Sequence, residues 1–87
     1  MSPSSEEIVI YGTSWCYDTR RVRTTLENRK IAYRWVDIDK DTEGRDFVMR
    51  ANHGNRSVPT ILFPDGSVLT EPSENELLSK LNQIATY

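Results

Sequence analysis

Ile8-Val9-Ile10-Tyr11-Gly12-Thr13-Ser14-Trp15-Cys16-Tyr17-Asp18-Thr19-Arg20-Arg21 decides the fold. An apolar, β-branched run stops at a glycine turn and delivers a cysteine to the mouth of a helical segment. The unbroken run from Ile8 to Tyr11 fits a strand covered on both faces, and Gly12 ends it. A thiol at a helix N-terminus faces unpaired backbone N–H groups and the positive end of the helix dipole, both of which favour thiolate over thiol. The Thr19 hydroxyl, three residues on, and the amides of Tyr17 to Thr19 are candidate donors to it, with Arg20 and Arg21 adding a diffuse positive field. By composition alone a single cysteine is most often a small buried hydrophobe. Its place in a strand-to-helix loop, which runs over the surface, makes Cys16 a candidate nucleophile instead.

Outward from this stretch the pattern alternates. From Cys16 to about Lys30 a helix is expected on a thin stripe of Val22 and Leu26 beside Thr19, Thr25 and the Arg29 stem, its other face basic and solvated. Tyr33 to Ile38 reads as a second strand with Trp35 as a packing residue. Thr42 is the expected cap of a helix from Glu43 to Asn52 with Phe47, Val48 and Ala51 inward, stopped at Gly54 in a left-handed conformation. Pro59 to Phe63 is a third strand, Pro64-Asp65-Gly66 a hairpin turn, and Ser67 to Thr70 the antiparallel return. Ser73 followed by Glu76 is a capping box, opening a helix striped by Leu77, Leu78, Leu81, Ile84 and Ala85.

The order β-α-β-α-β-β-α defines an α/β fold. Its βαβ start gives two parallel strands with a right-handed crossover, and its hairpin adds antiparallel strands, so a four-stranded mixed sheet flanked by helices is expected. Ligands of such open sheets gather outside the strand C-terminal ends, where Gly12 to Cys16 fall. The 87 residues allow one domain, assigned to residues 7–87, with residues 1–6 as a flexible leader. One cysteine excludes an internal disulfide, so the apolar core must hold the fold. A net charge of −2 gives no reason to expect nucleic acid or an anionic membrane as partner. With no targeting pattern and no spanning apolar run, a cytoplasmic protein is expected. His53, in a polar loop, is expected to be exposed, and the scattered carboxylates form no metal set.

Thr13-Ser14-Trp15-Cys16, Ser57-Val58-Pro59-Thr60 and Asp65-Gly66-Ser67-Val68-Leu69-Thr70-Glu71-Pro72-Ser73 together resemble the glutaredoxin family of the thioredoxin fold, and most nearly its actinobacterial mycoredoxin branch, from about residue 7 to the end. Sequence alone makes the Val58-Pro59 bond trans, since only about one X-Pro bond in twenty is cis in folded proteins. The resemblance implies the opposite: a cis Pro59 set against Cys16, with Val58 pairing through its N–H and C=O with the peptide of a bound thiol. It further implies that Ser73 and Glu74, at the start of the last helix, receive that thiol's carboxylate. Glu71 places opposing charge nearby, and a plain N-cap explains the same residues. Trp15 and Tyr17 flank the thiol, Trp15 facing a partner.

The resemblance implies a thiol-disulfide oxidoreductase acting as a monomer on thiolated proteins, with no tightly bound cofactor and with mycothiol or glutathione as co-substrate. Thr19 stands where dithiol members carry a second Cys, so an internal resolving step is chemically unavailable and the monothiol route remains. Many glutathione-using members carry a Lys where this chain has Thr13, which weakens the case for glutathione, is compatible with mycothiol and leaves both open. Two other readings stay open. One is an iron-sulfur carrier, against which the bulk of Tyr17 and charge of Asp18 count. The other is a redox-inactive binding module. A faint likeness to the arsenate-reductase branch is discounted because Val58 stands where that branch has Arg.

Overall fold

Each apolar run becomes a strand and each periodic stretch a helix in the computed structural model, which describes residues 7–85, the Ala85 side chain excepted. The leader assigned to residues 1–6 lies outside the described residues. The elements are β1 (Ile8–Gly12), α1 (Tyr17–Asn28), β2 (Tyr33–Asp37), α2 (Thr42–Ala51), β3 (Thr60–Leu62), β4 (Val68–Thr70) and α3 (Glu74–Ala85). They form one four-stranded sheet in the order β2-β1-β3-β4. β1 runs parallel to β2 and antiparallel to β3, with Ile10 opposite both Trp35 and Ile61. β4 returns antiparallel on β3.

Strand alternation divides the core. On one face Ile8, Ile10 and Ile61 pack with Val22 and Leu26 of α1 and Leu77 and Leu81 of α3, closed at the edge by Phe63. Burial of these side chains is the main stabilising contribution in a chain without disulfides. Trp35 lies against this cluster, as its place in the strand predicts, with the Arg23 guanidinium 4.1 Å above its ring. The opposite face is covered by α2: Tyr11 stacks on Phe47 with ring centroids 4.6 Å apart, and Val48 is buried. α2 comes so close to the sheet that a Cβ on Gly44 would stand 2.5 Å from Val36 Cγ1.

Three local expectations are corrected. Asp41, not Thr42, caps α2: its extended backbone aims Oδ1 at the Gly44 amide at 3.0 Å, while Thr42 is already helical. Ala51 is exposed, because Val48 and Asn52, one turn apart, take the sheet-facing side at this end of α2, with half-buried Phe47 adding to that contact. α1 ends at Asn28, where the chain reverses through Lys30 at φ +57 and the Ile31 amide returns to the Leu26 carbonyl at 2.9 Å. Gly54 adopts the left-handed conformation expected of it (φ +91), and His53 is exposed. The capping box forms as predicted: Glu76 N–H donates to Ser73 Oγ (3.1 Å) and Ser73 N–H to Glu76 Oε1 (2.8 Å). No helix among the described residues is long and apolar enough to cross a membrane.

Candidate functional site

The end of β1 and the start of α1 hold the cysteine. Cys16 is the N-cap of α1, extended at φ −80 and ψ 125, and half-buried. Its amide donates to the Thr13 carbonyl at 3.3 Å, closing the turn, and its carbonyl accepts from the Arg20 amide at 3.1 Å, opening the helix. Its thiol makes no capping hydrogen bond. Trp15 and Tyr17 stand outward on either side, each 71% exposed. Trp15 is nonetheless oriented, its Nε1–H donating to Asp39 Oδ2 in the β2–α2 loop at 2.9 Å. Beside Tyr17 a groove of about 400 Å³ runs along α1, lined by Arg20, Arg21, Thr24 and Thr25.

Thr19 is fully buried one turn into α1, packed against Gly12 so closely that a Cβ there would lie 2.6 Å from its Oγ1. Among the described residues its hydroxyl has no hydrogen-bond partner, Cys16 included. The Thr13 hydroxyl, also buried, is likewise unpaired among them. The turn that presents the thiol is thus bracketed by two buried hydroxyls with unused hydrogen-bonding capacity.

The Val58-Pro59 bond is cis, as the resemblance implied. Thr60 pairs with Tyr11, so the chain preceding it continues past the C-terminal end of β1 toward the 13–16 turn. Pro59 is buried, and its carbonyl accepts from the Glu71 amide at 2.8 Å. Among the described residues the Val58 N–H and C=O have no partner. The structure therefore presents an unpaired peptide edge beside the turn that carries Cys16.

Ser73 and Glu74 sit where α3 begins, and both are structurally engaged. Ser73 closes the capping box. Glu74 reaches α1, its Oε1 accepting from Arg21 Nη1 at 2.7 Å and its Oε2 from Thr25 Oγ1 at 2.9 Å. Arg21 also donates Nη2 to the Pro72 carbonyl at 2.8 Å, and its Nε lies 3.6 Å from Asp18 Oδ1. Glu71, exposed and at φ +47, turns the chain between β4 and this helix. Sequence reasoning missed Arg21 as the tie between helices and Asp39 as the partner of Trp15. Neither carried a local signal, since the partners are 53 and 24 residues away. Among the described residues no three His, Cys, Asp or Glu side chains gather as a metal site.

A parallel βαβ unit, a C-terminal β-hairpin, a cysteine at the first helix N-cap and a cis-proline leading into the antiparallel strand define a thioredoxin-fold protein with a single thiol at its helix mouth. The chain belongs to the glutaredoxin family, whose family model matches residues 8–68. It is 47% identical over 78 residues to a Mycobacterium tuberculosis protein named as a glutaredoxin, covering 90% of this chain and 93% of that one. It is 35% identical over 78 residues to Mycoredoxin 1 of Corynebacterium glutamicum, covering 90% and 96%. Among solved structures, a variant of the thioredoxin-like protein BC3987 superposes with a TM-score of 0.77 at 26% identity, over 87% of this chain and 95% of that one. The glutaredoxin of Archaeoglobus fulgidus shares the fold at a TM-score of 0.68 and 21% identity, over 91% and 92%.

Proposed function

We infer that this protein is a monothiol thiol-disulfide oxidoreductase of glutaredoxin type, which uses Cys16 to reduce mixed disulfides between proteins and a low-molecular-weight thiol. The observation that carries the reading is Cys16 itself: the chain's one thiol caps α1 with its Sγ uncommitted, beside a peptide edge at Val58 that is unpaired among the described residues.

The reaction divides into two exchanges. The Cys16 thiolate attacks the small-thiol sulfur of the mixed disulfide, forming a Cys16–small-thiol disulfide and releasing the protein as its thiolate. A second small-thiol molecule then attacks the small-thiol sulfur bound to Cys16. That step regenerates the Cys16 thiolate and releases the small-thiol disulfide, so each turnover consumes one free small-thiol molecule, the other half of that disulfide coming from the substrate. Thr19 provides no resolving sulfur; its buried hydroxyl, one turn after Cys16, makes no hydrogen bond to the thiol here, and we assign it to thiolate stabilisation by its turning toward Sγ once the thiol ionises.

Val58 pairs through its backbone with the small thiol, Pro59 holding that edge in place. Trp15 and Tyr17 form the rim that meets it. At the opening of α3, around Ser73 and Glu74, the backbone N–H groups left free by the capping box receive the polar end of that thiol, a carboxylate in glutathione and hydroxyl groups in mycothiol, whose cysteine carboxyl is bound as an amide. Thr13 is buried and uncharged, offering no cation to a second carboxylate, which supports mycothiol over glutathione. The setting is a reducing cytoplasm and the working unit a monomer, with neither nucleic acid nor membrane as partner.

The test is turnover of a cysteine peptide held in mixed disulfide with mycothiol, and separately with glutathione. Wild type reduces both and prefers mycothiol, whereas Cys16→Ser is inactive while keeping its fold by circular dichroism. Residual turnover in Cys16→Ser would refute the assignment.

A further inference from the structure

Asn52 belongs to none of the motifs above, yet its side chain is fully engaged at the point where α2, β3 and β4 meet. It is the half-buried C-cap of α2. Its Nδ2 donates to the Val48 carbonyl at 2.8 Å and to Thr60 Oγ1 at 3.0 Å, and its Oδ1 accepts from Thr70 Oγ1 at 2.7 Å. The Thr60 hydroxyl, fully buried, passes its own proton to the Ser57 carbonyl at 2.7 Å. One residue beyond Thr70, the Glu71 amide donates to the Pro59 carbonyl at 2.8 Å.

These bonds surround Val58 and leave it bare. Ser57 before it and Pro59 and Thr60 after it are all held, while its own N–H and C=O have no partner among the described residues. Helix capping does not require this use of the side chain. The backbone already closes α2, through Asn52 N–H on the Met49 carbonyl at 3.3 Å and Gly54 N–H on the same carbonyl at 2.6 Å. The amide side chain instead spans to residues 8 and 18 positions away, joining the Val58 segment to the turn that leads into α3.

We propose that Asn52 is a positioning residue for disulfide exchange at Cys16: by tying Thr60 to Thr70 it fixes the direction of the Val58 N–H and C=O, and with it the pose of the small-thiol half of the substrate. The proposal rests on the reading of Val58 as the thiol-pairing edge. Asn52 touches no reacting atom, so its removal weakens substrate binding and leaves the chemistry of Cys16 intact.

The experiment compares wild type with Asn52→Ala, Asn52→Asp and Thr70→Val. The probe is a cysteine peptide in mixed disulfide with mycothiol or glutathione, whichever wild type turns over faster. In Asn52→Ala and Thr70→Val, KM rises about tenfold, the scale of a lost buried hydrogen-bond link. Over the same variants kcat, and the rate of Cys16 alkylation by iodoacetamide, which needs no peptide edge, stay within about twofold. Asn52→Asp, which keeps the acceptor for Thr70 and loses the donor to Thr60, falls between.

Amide signals read the geometry without turnover. Val58 and Glu71 shift together in Asn52→Ala and in Thr70→Val, while Val22 and Leu26 of α1 do not. A variant that only melts at lower temperature, with KM and the Val58 signal unchanged, overturns the proposal. An inactive wild type would refute the oxidoreductase reading, and the Val58 and Glu71 signals would still decide whether Asn52 positions this edge.

Discussion

Arg21 Nη1 lies 2.7 Å from Glu74 Oε1, joining the N-terminal half of α1 to the first residue of α3, and the same guanidinium holds the Pro72 carbonyl at 2.8 Å. One side chain thereby couples the helix that Cys16 caps to the helix whose start is proposed to meet the small thiol. Arg21→Met breaks both contacts while keeping an apolar stem. Because the pair is partly exposed, at 24% and 45%, the stability loss is about 1 kcal/mol, read as a lower urea midpoint at unchanged slope. An unchanged midpoint would show that the tie is not made in solution.

Gly12 has no room for a side chain, since a Cβ would stand 2.6 Å from both Thr19 Oγ1 and Thr19 Cγ2. Gly12→Ala is expected to cost about 1–3 kcal/mol through overpacking. Adding Thr19→Ala removes the clashing atoms, so the double variant recovers part of the loss, a non-additivity that chemical denaturation of the four proteins measures.

Thr19→Cys places a second thiol one turn after Cys16, where residues three apart on a helix are neighbours. Mild oxidation of this variant forms an internal disulfide, seen as loss of both free thiols in a monomer. Oxidation that gave only dimers would contradict the helix-start geometry.

Asp65 holds the hairpin to α3: Lys80 donates to its Oδ2 at 2.7 Å, and Ser67 donates to its Oδ1 through both hydroxyl and amide. The Lys80 bond first, then those from Ser67, keep the Asp65 carboxyl well below its ordinary value of 3.8. A lowered folded pKa stabilises the fold fully above that ordinary value, and the contribution is lost as pH falls from it through the folded value. The gap in urea midpoint between wild type and Asp65→Asn is therefore present at neutral pH and closes as the solution is acidified below about pH 4. A gap independent of pH would contradict the charge-based account.

What the sequence made legible was local. The strand-turn-cysteine-helix order follows from the run before Gly12, and the Ser73–Glu76 box needs only a spacing of three, so both are found where expected. The α2 cap was misplaced by one residue because Asp41 and Thr42 are adjacent and both carry a capping oxygen; Asp is the stronger cap, and its extended backbone places it there. The cis bond at Val58-Pro59 was legible through family resemblance and not through the residues, since base frequency alone predicts trans. The contacts of Arg21, Trp15 and Asn52 were hidden for one reason: each joins elements distant in sequence, and side-chain pairing across a fold leaves no periodicity to read.

The central claim is most directly tested by intact-mass measurement of the reduced protein after brief exposure to the mixed disulfide of mycothiol with a cysteine peptide. The account predicts a single adduct, of the mass of mycothiol and not of the peptide, mapped to Cys16 and reversed by added mycothiol. Absence of any adduct, or exclusive addition of the peptide, would contradict it.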